Sequence, residues 1–281
     1  MAFKDLLLHI DTYPDPTPEA AIDEAVAFAK IVGGKLTLLA MPADIPLESN
    51  RLADYLIGLS NLVDSEEARS LATANALAQA FTGKAKAATV FEAVAEPKLT
   101  LFDMPAEVAR RARTHDLCLV PMADRLPGQR EVAQSAIFGS GRPVLIYTVG
   151  QTRFPGGLEK IAIAWDGSAC AASAVAAAMP LLESAAEVRI LSVVDEKPAA
   201  GPGVSSDLVR HLAAHGIKAQ AEEIPAAGRR IGKVLDDFLA RRKPDLLVMG
   251  AYGHSRIREF VLGGATEHVL WGCKTPALLC H

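Results

Sequence analysis

Short apolar runs alternate with longer stretches of helical spacing, and the whole alternation is played twice along the chain. In the first pass, Lys4–Ile10 (KDLLLHI) predicts a strand with Asp11 at its C-terminal end. Pro14 and Pro16 mark a loop, and Thr17–Val32 predicts a helix capped by Thr17 and closed by Gly33 and Gly34. Lys35–Met41 predicts the second strand. The stretch from Pro46 to Phe81 is Ala-rich, with apolar and acidic patches. It predicts one or two helices, more than a crossover between parallel strands needs. Ala85–Glu92, Asp116–Pro121 and Pro143–Tyr147 predict three further strands, with helices over Met104–Thr114 and Glu131–Phe138 between them.

The pattern then restarts. Gln151–Gly157 has the composition of a linker, which sets domains at 1–150 and 157–281. Strands are predicted at Lys160–Trp165, Glu187–Val194, Ile217–Glu223, Asp245–Met249 and Pro276–Cys280. Helices are predicted at Ala171–Leu182, Asp207–His215, Arg230–Arg241 and from Gly264 to Trp271. Local matches support an internal repeat: THDLCLVPMAD answers KPDLLVMGAYG, and SAIFGSGRPVLIY answers HVLWGCKTPALLC with Pro143 and Pro276 in register. The predicted class is α/β: two tandem five-stranded parallel open sheets with helices on both faces, Rossmann-like in character. In such sheets ligands sit beyond the C-terminal strand edge, where strand order reverses. Asp166, the loop after Val194 and the loop after Met249 fall on that edge.

Composition narrows the function classes. Half of the 281 residues are hydrophobic, enough for two buried cores, and Ala, Val and Leu carry most of that load. A net charge of −4 supplies no basic field for nucleic acid or an anionic membrane, so any anion site is built locally. The apolar run near Met1 is short and meets acidic and Pro residues at once, which reads as a strand and not a signal peptide. No apolar segment reaches the roughly eighteen residues of a membrane span. Cys118, Cys170, Cys273 and Cys280 are scattered without a CxxC pair, as in a reduced, cytoplasmic protein.

The stretch with chemistry in it is Leu246–Thr266 (LLVMGAYGHSRIREFVLGGAT). An apolar strand runs into Gly250 and Gly253, and nine residues later Gly263, Gly264, Ala265 and Thr266 open a helix. Glycines let backbone N–H groups approach an anion, and a helix start adds partial positive charge, so the order suits a phosphate site.

The spacing Gly250-x2-Gly253-x9-Gly263 resembles the nucleotide motif of the universal stress protein family, G-x2-G-x9-G followed by Ser or Thr. Asp166-Gly167-Ser168 after a first strand, DLLVMG before the first glycine and the Pro-led TPALLC agree with it. The chain thus resembles a tandem universal stress protein, by motif in the second half and by layout in the first. The resemblance implies the open α/β fold of the adenine nucleotide α-hydrolase-like group and ATP, with or without Mg²⁺, as the ligand. It places Asp166 at the adenine or ribose end and Val193 in the adenine pocket. Met249 and Gly250 would flank the ribose and phosphates, and Gly253, Gly263, Gly264, Ala265 and Thr266 would form the phosphate cradle. It also implies protein partners, pairing of the two halves through their last strands, and room for a homodimer.

Two departures qualify that expectation. Gly264 stands where the family has a hydroxyl, a loss of roughly 1.5–3 kcal/mol of hydrogen bonding to a charged group, or about tenfold or more in affinity. Thr266 keeps a hydroxyl two residues on, and His254, Ser255, Arg256 and Arg258 add donors. The first half reads Pro121-Met122-Ala123-Asp124 where the second has Gly250-Ala251-Tyr252-Gly253, and Arg130-Glu131 stand opposite Gly263-Gly264. Pro121 removes a backbone donor and Asp124 sets a negative charge where phosphate would lie, so this half is expected to have a structural or partner-binding role.

Other residues have plainer readings beside functional ones. Asp166 with Ser168, and Asp11, suit local caps of a strand–helix turn. His211 and His215 lie four apart on one helix face, the spacing of a possible metal pair, and solvated surface histidines are the preferred reading. Trp165 suits a core more than a base-stacking platform, and Arg110-Arg111 and Arg241-Arg242 suit helix C-termini in solvent. No Walker lysine, paired metal carboxylates or base for water is present, which predicts binding with at most slow hydrolysis. A nucleotide-independent assembly protein is the alternative. An enzyme of the α-hydrolase type is disfavoured, because Asp-Gly-Ser replaces the Ser-Gly-Gly such enzymes carry after the first strand.

Overall fold

The computed structural model describes residues 3–46, 59–123, 127–151, 154, 157–195, 203–251, 264–272 and 274–281. In the first half these form β1 (Asp5–Ile10), α1 (Ala20–Val32), β2 (Lys35–Ala40), β3 (Ala43–Asp44), α2 (Leu59–Ala87), β4 (Phe91–Ala95), β5 (Leu99–Thr100), α3 (Met104–Ala112), β6 (Leu117–Met122), α4 (Pro127–Gly139) and β7 (Val144–Thr148). The second half runs β8 (Lys160–Ala164), α5 (Ala169–Ser184), β9 (Glu187–Val194), α6 (Ser206–Ala214), β10 (Ala219–Pro225), α7 (Ile231–Arg242), β11 (Leu246–Gly250), α8 (Gly264–Leu270) and β12 (Ala277–Cys280).

The main strands share one ten-stranded sheet in the order β10-β9-β8-β11-β12-β7-β6-β1-β2-β4, so the two expected sheets are continuous. The short β3 and β5 pair separately. Each half places its strands in the same relative order, and pairing within each half is parallel. The halves meet where β12 lies antiparallel to β7, with Leu278 opposite Leu145 and Leu279 opposite Val144.

Burial on both faces explains the unbroken apolar runs, since alternate residues of one strand enter different cores. Leu6, Leu8 and Ile10 of β1 join a cluster with α1, α2, α5 and α6, which cover one face. Leu7 joins α3, α4, α7 and α8 on the other. Both clusters draw residues from each half. Tyr147 is fully buried at the seam strand, and its hydroxyl donates to the Ala21 carbonyl at 2.8 Å. No helix among the described residues is long and apolar enough to cross a membrane.

Two local expectations are corrected. The strand expected at Ala85–Glu92 begins only at Phe91, because α2 continues to Ala87 and buries Ala74, Ala78, Phe81 and Ala85 at helical spacing. Thr17 does not cap α1, whose N-cap is Glu19. The Thr17 hydroxyl instead accepts the Asp11 amide at 2.9 Å, which pins the turn leaving β1.

Candidate functional site

Strand order reverses between β8 and β11, and in open α/β sheets the crevice that takes a ligand forms beyond the C-terminal ends of such strands. The chain leaves β8 through Trp165 and Asp166, turns at Gly167 with φ at 75°, and enters α5. Ser168 caps that helix, its hydroxyl accepting the Ala171 amide at 3.1 Å. The Ser168 amide donates to Asp166 Oδ1 at 3.0 Å, so Asp166 braces the turn as well as standing at the crevice. Across from it, β11 ends at Gly250. A Cβ there would lie 2.4 Å from the Ala171 nitrogen and 2.6 Å from the Cys170 carbonyl carbon. The bare α-carbon therefore lets the strand end tuck against the first turn of α5.

The other sequence-derived residues spread around this point. Met249 is buried and pairs with Ala164 of β8. Val193, next to last in β9, is half-buried against the core under α7 and α8, as is Ala265. Gly264 is exposed at the start of α8 with nothing within 4 Å of where a Cβ would stand. Thr266 is buried at 3 % exposure. Gly253 and Gly263 lie outside the described residues, with His254, Ser255, Arg256 and Arg258.

Sequence reasoning overlooked His281 and the setting of Cys170. His281 Nδ1 lies 3.1 Å from the Ala251 carbonyl and 3.7 Å from Cys170 Sγ, at the rim of the crevice. Its ring meets Phe138 of α4 edge-on at 4.9 Å, so the first half touches the second half's site. Burial, then the Asp166 charge, raises the Cys170 thiol above its ordinary pKa. Burial pushes Cys280 up to about 12. Neither thiol is primed as a nucleophile. No local pattern announces His281, which simply follows the last strand.

The first half closes the corresponding position with its own side chains. His9 Nε2 lies 3.1 Å from Asp11 Oδ1. Thr12 donates to the Met41 carbonyl at 2.7 Å and shares a 2.8 Å hydrogen bond with Ser70 of α2. Ser70 Oγ also accepts the Ala43 amide, and Glu67 accepts the Ile45 amide at 2.8 Å. The middle of α2 is thus hydrogen-bonded across the ends of β1 and β2. Asp124 lies outside the described residues.

The remaining candidates have structural settings. Trp165 packs on the core and donates from Nε1 to the Val204 carbonyl at 3.0 Å. Cys118 is buried, its thiol pushed up to about 12 by desolvation, and Cys273 lies outside the described residues. His211 and His215 meet ring to ring at 5.0 Å, and no group of three or more metal-ligating side chains exists among the described residues. The arginine pairs are anchored: Arg110 and Arg111 on Glu107, Arg241 and Arg242 on Glu222 of β10.

Residues 157–281 match the universal stress protein family. No match to a curated protein was found. Among solved structures, a universal stress protein from Archaeoglobus fulgidus DSM 4304 has TM-score 0.70 at 15% identity, over 98% of this chain and 97% of that one. A protein from Pseudomonas aeruginosa UCBPP-PA14 described as a universal stress protein gives 0.58 at 15% identity, over 99% and 93%. One from Pseudomonas aeruginosa PAO1, described as functionally unknown, gives 0.56 at 15% identity, over 98% and 92%. At such identities the likeness is one of fold, and it runs through both halves.

Proposed function

We propose that the second domain binds ATP in the crevice between β8 and β11, and that the protein is an ATP-binding universal stress protein acting in stress response or regulation in the cytoplasm. The observation that carries this reading is the strand reversal that sets Asp166 and Gly250 side by side, on the chain segment with the Gly250-x2-Gly253-x9-Gly263 spacing. The residues fit a nucleotide. Asp166 offers a carboxylate for hydroxyls of the ribose or amines of the base, and Val193 an apolar wall for the base. Gly264 is an exposed backbone position without a side chain in the way. Bound ATP would supply charge and phosphate contacts, and the protein's part is to hold it. The sequence carries no Walker lysine, which favours binding linked to a change of partner over turnover.

Calorimetry on the whole chain and on Gly253→Asp tests the reading. The parent should bind ATP and the variant should not. No binding by the parent at millimolar ATP would sink it, and equal binding by both would move the site elsewhere.

The second reading, assembly without nucleotide, applies to the first half. There the Thr12–Ser70–Ala43 hydrogen bonds occupy the edge that the second half leaves to Asp166 and Gly250.

A further inference from the structure

The antiparallel seam turns the two halves end for end, so the first half sets the starts of its strands beside the ends of the second half's strands. Leu279 faces Val144, and the same register carried two residues further sets His281 opposite Arg142. His281 stands at the crevice rim on the Ala251 carbonyl, and its ring meets Phe138 at 4.9 Å. The carbonyl of the next residue, Gly139, accepts Arg113 Nε at 3.0 Å, and the Arg113 carbonyl accepts Arg142 Nε at 3.1 Å. Two arginines of the first half are thereby held on the seam side of the second half's crevice.

Both are exposed, and neither meets a carboxylate among the described residues. Their plain role is to satisfy carbonyls near helix C-termini. That role uses one N–H of each guanidinium and leaves its other donors uncommitted. The opposite end of the seam differs. Aligned through Pro143 and Pro276, Arg142 corresponds to Thr275, and aligned through Asp116 and Asp245, Arg113 corresponds to Arg242. Arg242 is tied to Glu222 at 2.6 Å. The uncommitted pair therefore faces the half with the glycine spacing. The half whose edge is closed by Thr12 and Ser70 faces a threonine and a neutralised arginine.

The proposed nucleotide lies with its base by Val193 of β9, its ribose by Asp166 after β8 and its phosphates after β11. In the strand order β9-β8-β11-β12-β7 that direction points the phosphate tail at the seam. β7 lies two strands beyond β11, about 10 Å at the usual spacing.

We propose that Arg113 and Arg142 receive the terminal phosphate of a nucleoside triphosphate held by the second half, so that the first half sets a preference for ATP over AMP. The planar, permanently charged fork of arginine suits the non-bridging oxygens of a phosphate. The proposal rests on ATP binding in the crevice.

Calorimetry of the whole chain with ATP and with AMP tests it, beside a variant carrying both Arg113→Gln and Arg142→Gln. Glutamine keeps a donor for each anchoring carbonyl without the charge. The parent should bind ATP about tenfold or more tightly than AMP. In the double variant ATP should weaken by about tenfold, AMP by less than about twofold, and thermal unfolding should stay cooperative. Lysine at both positions, which keeps the charge and loses the fork, should restore part of the ATP affinity. A parent that binds ATP but no more tightly than AMP overturns the proposal and leaves the crevice assignment intact, as does a double variant that keeps the preference. Equal losses for both nucleotides would show a structural role and overturn it as well. A parent that binds neither nucleotide removes ATP binding itself, and the role of the arginines with it.

Discussion

Gly250 and Ala171 approach so closely that a methyl on the glycine would fall 2.4 Å from the Ala171 nitrogen. The contact is backbone to backbone, so no side chain can rotate away to make room. It locks the end of β11 to the start of α5, and thereby sets the distance between the two walls of the crevice. Gly250→Ala should cost about 1–3 kcal/mol, the usual range for overpacking, read as a lower denaturant midpoint with an unchanged slope. A variant as stable as the parent would show that α5 shifts freely.

Gly264 presents the opposite case. Its surroundings are open, and it stands where the related motif has a hydroxyl. Gly264→Ser should tighten ATP binding about tenfold, the worth of one hydrogen bond to a charged group. Calorimetry of the two proteins side by side checks it, and an unchanged Kd would remove this position from the phosphate contact.

Tyr147 ties the seam strand to α1 through the Ala21 carbonyl. Burial, then the Glu24 charge, holds its phenol well above the ordinary range, so it stays a neutral donor. Tyr147→Phe removes this bond while the Ala21 carbonyl keeps its partner within α1, and should destabilise by about 0.5–1.5 kcal/mol, seen as a fall in Tm. No fall would mean that another donor replaces the hydroxyl.

Glu107 carries a pH signature. Hydrogen bonds from Arg110, then Arg111, outweigh partial burial and hold its pKa at about 2, against 4.5 for an ordinary glutamate. A carboxyl lowered on folding stabilises the native state above its unfolded pKa. That contribution is lost as pH falls through the folded one. The loss is expected between pH 4.5 and about 2. Replacing both Arg110 and Arg111 by Ala should flatten stability against pH in that window and leave the slope near neutrality unchanged. Chemical denaturation across the acid range measures it.

The strands were legible because burial on two faces makes runs such as LLVMG wholly apolar and leaves His9 as the one polar residue in LLLHI. The end of α2 was not, because its buried face past Phe81 is alanine alone, which marks neither period strongly. Asp166 and Gly250 were found by motif, and their neighbourhood follows from the strand order. What local spacing could not carry was the reason for Gly250, since the crowding atoms belong to a helix eighty residues earlier in the chain, near Ala171. Thr17 was misread for the same reason: its hydroxyl serves Asp11, not the helix it precedes. The closure of the first half depends on Thr12 meeting Ser70, a contact between distant segments. His281 had no signal beyond following β12, and only the pairing of β12 with β7 brings it to Phe138.

That antiparallel seam has a consequence for how the protein behaves on dilution. Because both strands belong to one chain, each meets the other at an effective concentration set by the connecting segment, in the millimolar range for short tethers, whatever the amount of protein in the cell. The stoichiometry is fixed at one first half to one second half. Neither half can be left without its partner strand by scarcity. The two halves are therefore free to diverge in sequence without losing each other.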